Sequence, residues 1–213
     1  MYARLLAAFC LVHVGVYCLW ASSENQPENT LVVYLSGSMQ PRSLDYMKLE
    51  LEHLMRTGGY RVEWSDARST ERPSTDATLI VVKLHGACEI GEAPPIKPGS
   101  LASTVVTDGR ILPFSTVDCD HLTHLLAAQL ASQPRARRDF LYGRAMARVL
   151  AHEVYHVLLN TSDHAREGIA RAGFTATDLL SEHFEFEQST LAKLRVPPGG
   201  RSSSGAAEEA AGR

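Results

Sequence analysis

The strongest constraint on the fold is a long helical pattern in the second half of the chain, predicted from Pro134 to about Leu159. His152 and His156 project from one side of this helix, where the apolar residues Ala145, Val149 and Leu159 flank them. Apolar residues also form a stripe at helical spacing on roughly the opposite side, namely Phe140, Ala147, Leu150, Val154, Val157 and Leu158. The pattern therefore predicts a helix packed on both sides, with its two histidines facing an enclosed cleft.

Strand-like segments dominate the first half of the chain. Apolar runs and alternation predict strands at 31–35, 60–64, 79–84, 104–106 and 111–114. The last two are joined by Thr107-Asp108-Gly109-Arg110, and Asp-Gly is a strong hairpin signal. A helix is predicted between the first two strands, from about Pro41 to Arg56.

Helices follow in the second half. One is predicted from Asp118 or Asp120 to Ala131, before the long helix, and a last one from near Thr177 to about Leu194. A layer of strands followed by helices predicts the α+β class in one domain. A chain of 213 residues that is 45% hydrophobic and 21% charged can bury a sizeable core.

The charge balance argues against nucleic acid as a partner. Lys and Arg total 21 against 24 Asp and Glu, a formal charge of −3. Basic residues cluster only briefly, at Arg135, Arg137 and Arg138. Nucleic-acid binding is therefore a poor hypothesis, because it depends on a basic surface.

The N-terminus resembles an export signal. An apolar stretch from Leu5 to Ala21 follows Arg4, and small residues at 21–23 precede a polar segment. We expect cleavage of residues 1–23, which would leave no stable membrane span and a secreted or periplasmic protein. The alternative is an uncleaved membrane anchor. Residues 24–196 would form the folded domain, and residues 197–213 a disordered tail rich in Gly, Ser and Ala.

Removal of the signal leaves two cysteines, Cys88 and Cys119. In an oxidising compartment they most simply form one disulfide. The alternative is a pair of buried free thiols.

The segment His152-Glu153-Val154-Tyr155-His156 indicates a metal site. Histidines four residues apart share one face of a helix, so both imidazoles can reach one cation. Glu153 lies about a hundred degrees around the helix from His152, close enough to reach a metal-bound water without binding the metal. Zn²⁺ lowers the pKa of such a water to about 7, and a carboxylate can then accept its proton.

A catalytic zinc needs a third protein ligand. Asn160 is a suitable residue to end the helix in a left-handed conformation, and the chain can then return to place His164 near the same ion. We favour His164, because it has little distance to travel. The alternatives lie on the predicted last helix: Glu182, His183, Glu185 and Glu187.

These residues resemble the motif of the zincin metallopeptidases, and partly that of the metzincin branch. His152, Glu153 and His156 match by position, and His164 stands two places later than the third metzincin histidine. Leu159 replaces the metzincin glycine, Ser162 occupies the usual third-histidine position, and the Met-turn is absent because no Met follows residue 146.

The resemblance implies a zinc-dependent metallopeptidase with a mixed β-sheet packed on the active-site helix, and the N-terminal signal implies that it is exported. His152, His156 and His164 would hold Zn²⁺, and Glu153 would act as general base towards the attacking water. A sheet edge, for which the hairpin is the candidate, would bind a peptide or protein substrate in extended form. We expect a monomer. The alternative function is a non-catalytic, zincin-shaped, secreted binding module.

Overall fold

The computed structural model describes residues 29–65, 77–91, 95 and 98–196. The predicted signal peptide and the predicted tail lie outside the described residues. Among the helices of the described part, none is long and apolar enough to cross a bilayer.

The described strands form one five-stranded mixed sheet. They are β1 (Asn29–Ser36), β2 (Tyr60–Ser65), β3 (Thr78–His85), β4 (Ala102–Thr107) and β5 (Arg110–Asp118). Their order across the sheet is β2-β1-β3-β5-β4. All neighbours are parallel except the β4–β5 hairpin, which is antiparallel and leaves β4 at the edge. The predicted strands and hairpin are therefore confirmed.

Within the residues that the structure describes, five helices accompany the sheet: α1 (Pro41–Thr57), α2 (Cys119–Leu130), α3 (Arg135–Leu159), α4 (Ala176–Leu180) and α5 (Gln188–Leu194). Proline at the first position of α1 has the φ that a helix requires and lacks only an N–H that would have no partner there. Asp118 caps α2, because its carboxylate accepts the His121 backbone N–H at 3.0 Å.

The prediction of one continuous last helix is wrong, because the chain between α4 and α5 is not helical. Arg144 and Arg148 of α3 donate hydrogen bonds to the carbonyls of Leu180 and Ser181, at the end of α4. Phe184 and Phe186 are both buried while Glu185 between them is exposed, an alternation typical of extended backbone. The alternative third ligands therefore lie in an extended segment.

The core lies between the sheet and the pair α1 and α3. The inward residues of the central strands are fully buried: Leu31, Val33, Ile80, Val82 and Val117. α1 packs against β2, whereas α3 packs against β3, β4 and β5. The helix that carries the two histidines thus packs against the sheet, as the resemblance to zincins implies.

A disulfide joins Cys88 to Cys119, with the two Cα atoms 4.8 Å apart. It fastens the segment after β3 to the first residue of α2 and closes a loop with a sequence separation of 31. By loop-closure entropy a bridge of this span stabilises a fold by about 3–4 kcal/mol. The predicted cysteine pairing is therefore present in the structure.

α1 and α3 are in close contact at Gly143, a residue inside α3 that has no side chain. A Cβ atom built at Gly143 would strike the Ser43 carbonyl and lie 2.8 Å from Cβ of Tyr46 and 2.9 Å from N of Met47. These are mostly backbone atoms of α1 that cannot rotate away. The missing side chain therefore sets the distance between the two helices.

We expect Gly143→Ala to lower the free energy of unfolding by about 1–3 kcal/mol, the usual effect of overpacking. A loss of stability is informative, because replacing glycine with alanine in an exposed helix raises the free energy of unfolding by roughly 1 kcal/mol. Chemical denaturation measures the difference. Gly91→Ala is the control, because a Cβ there meets nothing within 4 Å. Equal stability of the Gly143→Ala variant and the wild type would show that the helices are not in close contact.

Candidate metal centre

His152, Glu153 and His156 lie on the C-terminal half of α3 and are all buried, with relative exposures of 9%, 5% and 8%. The two histidines stand one helical turn apart, and their Nε2 atoms face each other at 3.0 Å. Buried polar groups are costly without partners. The Nδ1 atoms of the two rings therefore need hydrogen-bond partners of their own.

Each imidazole is held by a backbone carbonyl that follows α3 in the chain. Nδ1 of His152 lies 2.7 Å from the carbonyl oxygen of Ile169, and Nδ1 of His156 lies 2.7 Å from that of Thr161. A carbonyl oxygen can only accept, so both Nδ1 atoms carry a hydrogen. In the neutral rings both Nε2 atoms then carry a lone pair and no hydrogen, and the two lone pairs face each other.

The third histidine arrives through the turn that ends α3. Asn160 adopts the left-handed conformation, with φ 47° and ψ 49°, and the Thr161 N–H returns to the His156 carbonyl at 3.2 Å. The hydroxyl of Tyr155 donates to the Asp163 carbonyl at 3.0 Å. These contacts fix the chain immediately before His164, as the sequence argument on Asn160 predicts.

His164 lies against both helical histidines. Its ring centroid is 5.2 Å from that of His152 and 4.9 Å from that of His156. One nitrogen from each of the three rings lies within 4.8 Å of the others. Among the described residues this is the one group of three or more His, Cys, Asp or Glu able to share a metal ion. The alternatives Glu182, His183, Glu185 and Glu187 do not join it.

The three histidines fit a metal ion by their chemistry. Imidazole nitrogens are typical ligands of zinc and of other transition metals. The Nδ1 hydrogen bonds to Ile169 and Thr161 are the outer contacts that orient metal-binding histidines. A cation between the facing Nε2 atoms would satisfy two buried lone pairs that otherwise repel each other.

Burial favours the metal-binding form of His152 and His164. It lowers the pKa of His152 to about 4, against the opposing effect of the Ile169 carbonyl, and the neighbouring His156 and His164 lower it further. Burial also lowers the pKa of His164, followed by the effect of His156. At neutral pH these rings are therefore neutral and able to donate a lone pair.

Glu153 lies beside the histidines but outside their group. Burial raises the pKa of its carboxyl, although a hydrogen bond from Thr104 opposes that rise. The Thr104 hydroxyl donates to Oε2 of Glu153 at 2.6 Å. A buried carboxyl with a raised pKa is suited to accept a proton near neutral pH.

A cavity of about 430 Å³ opens next to His152 and Glu153. Its lining comes from residues 99–102 at the start of β4, from α2 and α3, and from the loop before α4, and it includes His121, His124, Leu125, Val149 and Phe174. The sequence analysis interprets His121 and His124 as residues at the start of a helix capped by Asp118 or Asp120, and the structure confirms Asp118 as the cap. The sequence missed their place beside the histidine cluster, because helix spacing alone does not show where α2 lies relative to α3.

The pKa of His152 predicts how the stability of the metal-free protein depends on pH. Its ordinary pKa of 6.5 falls to about 4 on folding, so between these values the unfolded chain binds a proton that the folded one refuses. The free energy of unfolding should therefore fall as the pH is lowered from about 6.5 to about 4. His152→Asn keeps a donor for the Ile169 carbonyl, and this variant should lose less stability over the same range. Parallel curves from urea denaturation would contradict the prediction.

Among three comparisons with known proteins, the one with solved structures found matches. No protein-family model and no curated protein matches the sequence. Archaemetzincin from Methanopyrus kandleri is 11% identical, and the match covers 79% of this chain and 94% of that protein with a TM-score of 0.47. A zinc-dependent peptidase from Methanocorpusculum labreanum is 8% identical, and the match covers 77% of this chain and 99% of that protein with a TM-score of 0.50. At such identities the second likeness shows the fold alone, and that fold is zincin-like.

Proposed function

We propose that this protein is an exported zinc-dependent metallopeptidase. One observation carries the proposal: two buried histidines present facing Nε2 atoms at 3.0 Å, with His164 completing the group and Glu153 buried beside them. The zincin-like fold, shared with a structure described as a zinc-dependent peptidase, supports it. Since every residue of the site comes from one chain, we expect a monomer to suffice.

His152, His156 and His164 would hold the ion. Bound Zn²⁺ would lower the pKa of a water molecule and polarise the substrate carbonyl. Glu153 takes the proton from the attacking water at its carboxylate and then gives it to the nitrogen of the leaving amine. Its burial suits this role, because burial raises the pKa of the carboxyl towards the working range.

The substrate would lie along β4. This strand is at the sheet edge, and its residues Val105 and Val106 are 47% and 54% exposed. A peptide in extended form can add to such an edge through main-chain hydrogen bonds. The cavity beside Glu153 would then receive one substrate side chain. Edge and cavity meet at Ala102, which belongs to β4 and also lines the cavity.

Glu153→Gln tests the reaction. The variant should keep about one zinc per chain and lose hydrolysis of a peptide library by roughly 100-fold or more, the usual contribution of a general base. Mass spectrometry of the digested library measures the cleavage. Glu182→Gln, at an exposed glutamate, is the matched control and should cleave like the wild type. A zinc-loaded wild type that cleaves nothing would support the alternative, a binding module.

The same protein preparations identify the third ligand. His164→Ala should lose zinc on dialysis, because loss of an outer contact alone costs about 10–100-fold in metal affinity and loss of a ligand should cost at least as much. The variants Glu182→Gln, Glu185→Gln and Glu187→Gln should retain it. Elemental analysis after dialysis decides, and retention by the His164→Ala variant would exclude His164 as a ligand.

Export is part of the proposal and is supported by the apolar segment Leu5–Ala21 and by the disulfide, which suits an oxidising compartment. The full-length chain expressed in a secreting host should reach the medium or periplasm with Glu24 at its N-terminus. Leu11→Arg, which interrupts the apolar segment, should stay in the cell. An intact N-terminus in the membrane fraction would instead show an uncleaved anchor.

A further inference from the structure

The edge strand β4 reaches Glu153 through one side chain. Thr104 Oγ1 lies 2.6 Å from Oε2 of Glu153 and 2.7 Å from Oγ of Ser115, its partner residue across the β4–β5 pair. Ser115 and Glu153 are 3% and 5% exposed, and Thr104 is partly buried. The three polar groups form a short buried chain of hydrogen bonds between the sheet edge and α3.

The direction of this chain follows from counting hydrogens. An ionised carboxylate has none, so the single hydroxyl hydrogen of Thr104 must go to Glu153. The hydrogen between the two hydroxyls then belongs to Ser115, which donates to Thr104 Oγ1. Ser115 therefore orients the Thr104 hydroxyl, and Thr104 holds Oε2 of the carboxylate.

The pairing of β4 with β5 is irregular immediately after Thr104. The pairing with β5 is regular from Ala102 to Thr104 and shifts register between Thr104 and Val106. Such an irregularity bends an edge strand and redirects the neighbouring side chains, and it is common beside active sites. Thr104 faces inward to Glu153, whereas Val105 and Val106 beyond it are exposed.

We propose that Thr104 is the positioning residue of the general base. It restrains one carboxylate oxygen of Glu153, so that the carboxylate keeps one orientation and Oε1 is left to accept the proton of the attacking water. Ser115 supports Thr104 in this orientation. The inference rests on the proposed peptidase function for its catalytic meaning, although the hydrogen bond itself can be measured without turnover.

The direct test is the carboxyl carbon resonance of Glu153 in metal-free protein labelled with ¹³C-glutamate. Glu153→Gln assigns the signal. Thr104→Val removes the hydroxyl at nearly constant shape and should shift the resonance, whereas Thr104→Ser keeps the hydroxyl and should leave it close to the wild-type position. Thr107→Val makes the same chemical change at the exposed end of β4 and should shift nothing. An unmoved Glu153 signal in the Thr104→Val variant would overturn the proposal.

Kinetics on the zinc-loaded protein then test positioning. A misplaced catalytic group lowers the rate of the chemical step, so the Thr104→Val variant should lose about tenfold or more in kcat at nearly unchanged KM and zinc content. Thr104→Ser should recover kcat to within about threefold. If kcat of the Thr104→Val variant is unchanged, or if Thr104→Ser is as slow as Thr104→Val, the positioning role is excluded. If Thr104→Val shifts the Glu153 resonance but the zinc-loaded wild type cleaves no peptide, the contact is retained and the peptidase function is rejected.

Discussion

The C-terminal part of the structure depends on a polar stripe along α3. Every fourth residue from 144 to 156 carries an N–H donor, and each donates to a backbone carbonyl of the segment that follows the helix. The donors are Arg144, Arg148, His152 and His156. Arg148 is 1% exposed and also pairs with Glu50 of α1 at 3.0 Å. Groups of this kind are tolerated inside a protein only when their hydrogen bonds are satisfied.

This stripe explains why so much of the chain after Leu159 is irregular. A carbonyl inside a helix is already bonded to the N–H four residues on, so it is less available to a side chain. The carbonyls that meet the two histidines come from Thr161 and Ile169, and both lie outside helices. The conformation of the segment after Leu159 therefore depends on hydrogen bonds from α3 as well as on its own sequence. The same hydrogen bonds orient the two histidines.

The sequence predicted the parts of the fold that depend on local pattern. Alternation and apolar runs located all five strands of the described sheet, Asp108-Gly109 marked the hairpin, and the period of α3 gave a helix buried on both sides. The cysteine pairing was also predictable, because only Cys88 and Cys119 lie outside the predicted signal peptide. The turn at Asn160 was predictable because asparagine tolerates the left-handed conformation.

What the sequence missed depends on contacts between distant segments. One continuous helix was expected from near Thr177 to about Leu194, but α4 ends at Leu180. Arg144 of α3 binds the Ser181 carbonyl there, and Phe184 and Phe186 are buried in an extended segment. Thr104 was predicted as the start of the strand 104–106, without any contact to Glu153. Its importance follows from the register of β4 on β5, which places it 2.6 Å from a carboxylate 49 residues away.

The sheet and the C-terminal segment both contact α3, and each orients different side chains of the site. The carbonyls of the C-terminal segment hold the histidines, whereas the sheet edge holds Glu153 through Thr104. The proposed metal ligands and the proposed base are therefore oriented by different segments, although His152 and Glu153 are adjacent in the chain. Under the proposed function, β4 would both bind an extended peptide and orient the base. A peptide bound on β4 would then lie close to a carboxylate whose direction is already fixed, and pre-orientation of this kind removes part of the entropic cost of reaching the transition state.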